Sequence, residues 1–343
     1  MSLVVWIAIH IYSIEALQAY MDDNFAFDLL AHLVLYEPYH RYMPHQKVML
    51  LRLWDELQIP HEDSKQVHGH ALTIIGFHVD TQNMTITLLQ EFCTALVTHI
   101  RDFVTNAPRR RHPLRDWQRL LGWINWGLNV QPLLRPALQA AYTKIRGLAI
   151  PHAPVFLNAR VKRDLLWVAD MLDRHVGIFM LRATAWGPAD AELTMFCDAC
   201  LTGIAFWCPR LNKGFIADVP TPTRQGEDII FWYEALAVLS ALQWAISLPS
   251  RYSRIAIFTD NLNTVQIFNS LRASEGFEDL LLFACSLLIA SDVDLRVWHI
   301  AGTDNLVADA LSRHLIHVAL QHVPQLHLHT FIPSRIMLGD AAL

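Results

Sequence analysis

Apolar and polar residues alternate differently along successive parts of the chain. Residues 1–90 carry short apolar runs separated by polar turns, which predicts paired strands and one helix at 44–58. Residues 91–180 carry apolar side chains at spacings of three and four, which predicts helices. Residues 181–315 combine strand-like alternation with helix-like spacing, in the order β-β-β-α-β-α-α-β-α, which predicts an α/β fold. The histidine-rich residues 316–343 are expected to form a polar tail.

Composition limits the class of protein. The chain has 343 residues, 53% of them hydrophobic and 17% charged, so it can bury a large core and is not expected to be disordered. Near its start the longest apolar run, Leu3–Ile9, is too short to span a bilayer, and no Lys or Arg precedes Arg41, so neither a membrane anchor nor a secretory signal is expected there. Five cysteines without paired spacing favour a reducing compartment, the cytoplasm or nucleus.

The net charge of −5 conceals a basic segment. Residues 101–146 hold nine Lys or Arg against two acids, a local charge of +7 within an otherwise acidic chain. The segment includes the run Arg109, Arg110 and Arg111. Such a block indicates either contact with a polyanion or an ordinary solvated helix face, and charge alone does not separate the two.

Four carboxylates occupy informative positions in the predicted α/β block. Two predicted strands end at Asp198 and Asp260, and ligands of α/β sheets gather at strand ends. Glu234 lies on the apolar side of a predicted helix, where a carboxylate costs free energy unless something compensates it. Asp309 belongs to a short helix that follows the turn 302–305. Four converging oxygen donors suit Mg²⁺ or Mn²⁺ and not Zn²⁺, although any one of these acids alone would be typical of a turn or a helix cap.

The motifs around these acids resemble the type 1 ribonuclease H domain of retroelement reverse transcriptases, and the resemblance spans 181–315. They are Thr194-Met-Phe-Cys-Asp198, Tyr233-Glu-Ala-Leu-Ala237, Phe258-Thr-Asp-Asn261 and Ala308-Asp-Ala-Leu-Ser-Arg313. The resemblance implies a mixed five-stranded sheet with flanking helices. It also implies an endonuclease that cleaves the RNA strand of RNA/DNA hybrids with two Mg²⁺ ions, or Mn²⁺, held by Asp198, Glu234, Asp260 and Asp309.

Two details qualify this resemblance. Many members of the family carry a histidine in the loop before the last carboxylate, whereas this chain has Gly302-Thr-Asp-Asn305 there, so slower turnover is expected. Asn261 is a candidate contact to the hybrid, and a simple turn role is the equal alternative.

The first block resembles the catalytic hairpin and following part of a reverse transcriptase palm. Tyr20-Met-Asp-Asp23 matches the catalytic turn, which makes Asp22 and its neighbour Asp23 a remnant polymerase site, and Leu72–Val79 resembles the next supporting strand. The resemblance implies a partial palm over 1–90 and a helical thumb or connection over 91–180. The family places another metal-binding aspartate well upstream of the hairpin, so this chain is not expected to polymerise alone.

Two other interpretations remain open. The chain is alternatively a catalytically silent remnant that binds nucleic acid through the basic segment 101–146, with Arg109, Arg110 and Arg111 contacting phosphates. A transposase or integrase of the same fold is disfavoured, because those enzymes generally use three acids, the last a glutamate. A zinc site at Cys197 and Cys200 is also disfavoured, since it would need a second cysteine pair.

Overall fold

In this computed structural model the chain forms two compact units, Met1–Phe92 with Val176–Ala183 and Cys93–His175 with Thr184–Leu343. The predicted helical block and the predicted α/β block therefore pack into the same unit. The residues that the structure describes are 2–29, 32–107, 110–174, 177–180, 185–220, 229–272 and 276–334.

Helices and strands are numbered in chain order. The helices of the described residues are α1 (Ser2–His10), α2 (His45–Glu56), α3 (Gln90–Thr105), α4 (Leu114–Gly127), α5 (Gln139–Ile145), α6 (Ala159–Leu172), α7 (Ile229–Ser247), α8 (Leu262–Ser270), α9 (Glu278–Ser291), α10 (Leu306–Ser312) and α11 (Ile316–His322). The strands are β1 (Gln18–Tyr20), β2 (Asp23–Phe25), β3 (Leu33–Tyr36), β4 (Arg41–Pro44), β5 (Ala71–Ile74), β6 (Phe77–Asp80), β7 (Thr85–Leu88), β8 (Arg111–Pro113), β9 (Pro154–Phe156), β10 (Ile178–Phe179), β11 (Leu193–Ala199), β12 (Gly203–Cys208), β13 (Lys213–Asp218), β14 (Arg254–Thr259), β15 (Asp294–His299) and β16 (His327–Thr330).

The first unit contains short antiparallel sheets and the predicted helix. α2 confirms the helix expected at 44–58, and its buried side includes Val48 and Leu51. The single strand expected at Leu72–Val79 is wrong, because the chain turns back on itself there and β5 pairs with β6. Ile75 and Gly76 have φ angles of 49° and 80°, and two successive residues in the left-handed region form the tight turn that joins twisted hairpin strands.

The helical part of the second unit follows its predicted periodicity. Leu114, Trp117 and Leu121 of α4 are buried on one face, as their spacing predicts. α6 packs against α9, where the indole Nε1 of Trp167 donates to the Ser286 hydroxyl at 3.0 Å. The helical segment is therefore attached to the α/β part through α9.

A mixed six-stranded sheet forms the centre of the second unit, in the order β15-β14-β11-β12-β13-β16. β11, β12 and β13 are antiparallel neighbours, whereas β14 runs parallel to β11 and β15 runs parallel to β14. On β12 the ring of Phe206 packs against Trp244 of α7, while the adjacent Ala205 packs into a cluster with Leu311 of α10. Successive residues of a strand point to opposite faces, so α7 and α10 cover opposite faces of the sheet.

The sheet has one strand more than the five that the resemblance implied. β16 lies in the segment expected to be a polar tail, and it pairs in parallel with β13. Its apolar residue Leu328 and the preceding Leu326 pack into the cluster beneath α10, while His327 and His329 alternate with them. This period-two alternation over Leu326–Thr330 is the signal of a half-buried strand that the histidine count concealed.

The apolar helix α7 is a central part of this core. Among the described helices, α7 is long and apolar enough to cross a bilayer, with a mean hydropathy of 1.6 over its most apolar window. However, 61% of that window is buried inside the protein, and Val238, Leu239 and Leu242 are fully covered. The packing of α7 against the sheet accounts for its hydropathy.

Candidate metal centre

Two aspartates lie side by side because two parallel strands end together. Phe196 of β11 pairs with Phe258 of β14, and Asp198 and Asp260 each follow two residues later. Asp198 is 4% exposed, whereas Asp260 is the more accessible of the two. The parallel register therefore brings both carboxylates to the same edge of the sheet.

Glu234 reaches this edge from α7. Its side chain is only 4% exposed. Its Oε1 accepts a hydrogen bond from the backbone N–H of Ala199 at 3.2 Å, and its Oε2 accepts one from the Thr259 hydroxyl at 3.2 Å. These contacts direct the carboxylate toward the ends of β11 and β14, which confirms that it lies on the core side of the helix.

The three carboxylates converge. One oxygen each from Asp198, Glu234 and Asp260 lie within 4.8 Å of one another. Within the described residues, no ion pair connects a Lys, Arg or His to any of the three. Buried carboxylates without a basic partner are costly, and hard oxygen donors at this separation fit a divalent cation such as Mg²⁺. The donor set is therefore chemically suited to the predicted metal.

Burial and the charges of neighbouring acids raise the pKa values of two of these carboxyl groups. Burial, followed by the charges of Asp198 and Asp260, raises the pKa of Glu234 to about 9. Burial is also the main cause that raises the pKa of Asp198 to about 7; the hydrogen bond from Ser312 and the charge of Arg313 oppose the rise, while the nearby Asp260 and Asp309 add to it. A bound cation would reverse this, since it favours the ionised carboxylates.

Asp309 does not join the converging oxygens in this structure. It lies on α10, and its Oδ1 is 2.8 Å from the Nε of Arg313, one helical turn later. Its charge nevertheless contributes to the raised pKa of Asp198, so it lies close to the triad. Of the four predicted ligands, the structure brings three together and places the fourth beside them, paired with an arginine.

Three residues for which the sequence predicted no individual role hold α10 against this centre. The Asn305 side chain donates to the backbone carbonyl of Cys197 at 2.9 Å, and the Ser312 hydroxyl lies 2.5 Å from Asp198 Oδ2. Gly203 lets β12 approach the end of α10, because a Cβ there would lie 2.1 Å from the Ser312 carbonyl oxygen. Ser312 is part of the quoted Ala308–Arg313 motif, so the motif itself was the available signal.

Asn261 caps a helix. Its side-chain Oδ1 accepts the backbone N–H of Thr264 at 2.9 Å, at the start of α8. This contact is the turn role considered as the alternative to contacting the hybrid. Asn261 also directly follows Asp260, so capping helps to set the backbone position of that acid.

The residues predicted to contact nucleic acid lie on the surface where the structure describes them. Arg109 lies outside the described residues, and Arg110 and Arg111 are exposed. Exposed Arg115 and Arg119 follow on α4, and the guanidinium of Arg119 lies 5.4 Å from the ring centre of Trp123. Trp117, in contrast, is completely buried, as a core residue would be.

The predicted polymerase remnant lies in an exposed hairpin loop. Tyr20 pairs with Asp23, so Met21 and Asp22 form the turn, and both aspartates are exposed. A metal ion needs a group of at least three His, Cys, Asp or Glu side chains close together. Among the described residues, the triad at Asp198, Glu234 and Asp260 is the group that meets this condition. The described residues thus bring no third ligand to Asp22 and Asp23, and none of the histidines in 314–329 joins such a group.

Comparisons with known proteins give little further information. No family model matches the chain, and no curated protein matches it. Among solved structures it is similar to the foamy viral protease-reverse transcriptase in complex with dsDNA, with a TM-score of 0.34 and 13% identity. The similarity covers 88% of this chain and 58% of that one, so this chain spans less than two thirds of the length of that protein. Likeness at this level assigns no activity.

Proposed function

We propose that the chain is a divalent-metal-dependent endonuclease that cleaves the RNA strand of RNA/DNA hybrids. The observation that carries the proposal is the convergence of Asp198, Glu234 and Asp260 within 4.8 Å, two of them buried and none with an ion-pair partner among the described residues. Asp309 is the proposed fourth ligand. The preferred metal is Mg²⁺, as two ions, with Mn²⁺ as a substitute.

The chain's own residues would divide the work at this centre. A divalent ion, when bound, supplies positive charge that stabilises a phosphodiester during hydrolysis. Glu234 is held by the Ala199 N–H and the Thr259 hydroxyl, so it approaches from the buried side. Asp260 is the most accessible of the three acids, so a substrate would meet the centre first at this carboxylate. Ser312 positions the carboxylate of Asp198.

The substrate class follows from the sequence motifs. The four carboxylate motifs resemble those of retroelement ribonuclease H domains in order and spacing, and these enzymes cleave hybrids. Selection of the RNA strand would require contacts to 2′-hydroxyl groups in the wide minor groove of the hybrid. The geometry of the acids therefore supports the metal-dependent part of the proposal, whereas the choice of substrate rests on the sequence motifs.

The test is cleavage of an end-labelled RNA strand paired to DNA. We expect cutting with Mg²⁺, none with EDTA, and a loss of at least about a thousandfold in Asp260→Asn, because a metal ligand contributes several kcal/mol to transition-state stabilisation. Asp170→Asn, which changes an exposed acid of α6, is the matched control and should cut normally. Normal cutting by Asp260→Asn would refute the ligand assignment, and equal cutting of duplex DNA would refute the substrate.

A second candidate is nucleic-acid binding without catalysis. The observation that favours it is the exposed basic surface of Arg110, Arg111, Arg115 and Arg119. Binding through phosphate contacts weakens steeply as salt rises but needs no divalent ion. Folded protein that binds the hybrid in EDTA, and never cuts it with Mg²⁺ or Mn²⁺, would favour this candidate over the nuclease.

A further inference from the structure

The fourth carboxylate, Asp309, is held by Arg313 beside the triad. Asp309 Oδ1 and Arg313 Nε are 2.8 Å apart, one helical turn from each other at the end of α10. Both side chains are partly exposed, at 43% and 56%. Ser312, the residue before Arg313, contacts the carboxylate of Asp198, so the pair lies beside that buried acid.

The backbone of α10 has little freedom to move Asp309 toward the triad. Asn305 ties the start of the helix to the Cys197 carbonyl, and Ser312 ties its end to Asp198. Between them Ala308 and Leu311 are completely buried against the sheet. Any approach of Asp309 to the triad must therefore come from rotation of its side chain, which requires Arg313 to release it.

Arg313 can release Asp309 and still have a use at this site. Ion pairs between exposed side chains are weak, so competition from a metal ion or a phosphate can break this one. Only the Nε of Arg313 donates a hydrogen bond to the described residues, which leaves both terminal amino groups for another acceptor. A guanidinium with free donors binds phosphate oxygens in a planar, two-point contact.

We propose that Arg313 is a positioning residue that holds Asp309 away from the metal centre until substrate binds, and then exchanges Asp309 for a backbone phosphate of the substrate. This inference rests on the proposed nuclease function and adds the residue that controls when the fourth carboxylate becomes available. It predicts that Arg313 opposes metal binding in the free protein but favours substrate binding.

The experiment compares the wild type with Arg313→Ala and Arg313→Lys, using full-length protein. Mn²⁺ binding is measured by titration calorimetry without nucleic acid, and KM and kcat are measured on the RNA/DNA hybrid. Arg296→Ala is the matched control. Arg296 is an exposed arginine that pairs with an aspartate, Asp294, at the start of β15. The triad lies at the other edge of the sheet, where β11 and β14 end.

Opposite shifts in the two measurements are the expected result. Arg313→Ala should bind Mn²⁺ roughly two- to fivefold more tightly, the range that corresponds to loss of an exposed ion pair. Its KM for the hybrid should rise about tenfold, because a charged hydrogen bond to phosphate is lost. Arg313→Lys keeps the charge, so its Mn²⁺ affinity should stay near that of the wild type, with a smaller rise in KM.

Two outcomes separate this inference from the proposed function. Unchanged or weaker Mn²⁺ binding by Arg313→Ala would overturn the role of Arg313, whether or not the protein cuts hybrid, and so would an unchanged KM. If the wild type binds Mn²⁺ without ever cutting hybrid, and Arg313→Ala binds it more tightly, the nuclease proposal fails while the control of Asp309 by Arg313 is supported.

Discussion

Two clusters of acids in the second unit differ in whether basic side chains pair with them. At the contact between α6 and α9, Arg163 Nη2 lies 2.8 Å from Asp164 Oδ1 and 2.5 Å from Asp279 Oδ1. At the ends of β11 and β14, Asp198 and Glu234 are just as buried as Asp164, each 4% exposed, yet no arginine or lysine pairs with them in the described part of the chain.

The pKa values reflect the same difference. Burial raises the pKa of Asp164, but Arg163 and Arg160 counteract it. For Glu234 the neighbouring charges are acidic and add to the effect of burial, which brings its pKa to about 9. Asp164 thus has arginines in direct contact as counter-charges, whereas the charged neighbours that shift the pKa of Glu234 in the described part of the chain are acidic. Burial of an acid therefore does not by itself indicate a metal site, whereas burial beside other acids without a paired base is what a metal site requires.

Glu234→Gln is expected to have the largest effect and to separate function from stability. Glutamine can still accept the Ala199 N–H through its amide oxygen, and its NH2 group can donate to the Thr259 hydroxyl oxygen in the reverse direction, so the fold should remain. Cleavage should fall about a thousandfold, because the amide is a poor metal ligand. In EDTA at pH 8 the free energy of unfolding should rise by about 1 kcal/mol or more, since the folded protein no longer keeps an acid with a strongly raised pKa at position 234. A glutamine variant that unfolds more easily in EDTA would contradict this account of the triad.

Arg163→Met should have the opposite balance of effects. Removing the arginine leaves Asp164 buried without its closest partner, which should lower the free energy of unfolding by about 3 kcal/mol in urea titrations. The double variant Arg163→Met/Asp164→Asn should recover part of this loss, because the uncompensated acid is gone. A loss of less than about 1 kcal/mol in the single variant would show that the α6–α9 cluster does not depend on its ion pairs.

The pH dependence of stability without metal is the most general test, because it needs no substitution and has a shallow slope at any one pH. Asp198 and Glu234 have pKa values of about 7 and about 9 in the folded protein, above their ordinary values. The folded state therefore binds more protons than the unfolded state between about pH 4 and pH 9, so stability should fall as pH rises through this range. The slope is at most about 1.4 kcal/mol per pH unit for each group.

Magnesium and Glu234→Gln provide the controls for this pH profile. Added Mg²⁺ should flatten the decline in melting temperature, because the ion stabilises the ionised carboxylates. Glu234→Gln should remove the upper part of the decline, near pH 9. A melting temperature in EDTA that is constant from pH 5 to pH 9 would contradict the assignment of raised pKa values to these acids.

Local sequence was sufficient for most helices and strands of the second unit. The period of three to four in α4 and the strand that ends at Asp198 both appear where their patterns predict them, because each apolar side chain faces a core. The pattern did not predict the tight turn at Ile75–Gly76, because the apolar run continues through it. At β16 the alternation of leucine and histidine was a usable signal for a strand, but it could not show that β13 is the strand with which β16 pairs.

The sequence by itself determined which acids to consider and where they lie on strands and helices, since four short motifs carry Asp198, Glu234, Asp260 and Asp309. Only the tertiary structure decided which of them meet. Convergence depends on the parallel register of β11 and β14 and on α7 crossing the face of the sheet, and both are set by contacts between residues far apart in the chain. The pairing of Asp309 with Arg313 required the same information, because a spacing of four on a helix permits an ion pair but does not decide whether a nearby metal site competes for the acid.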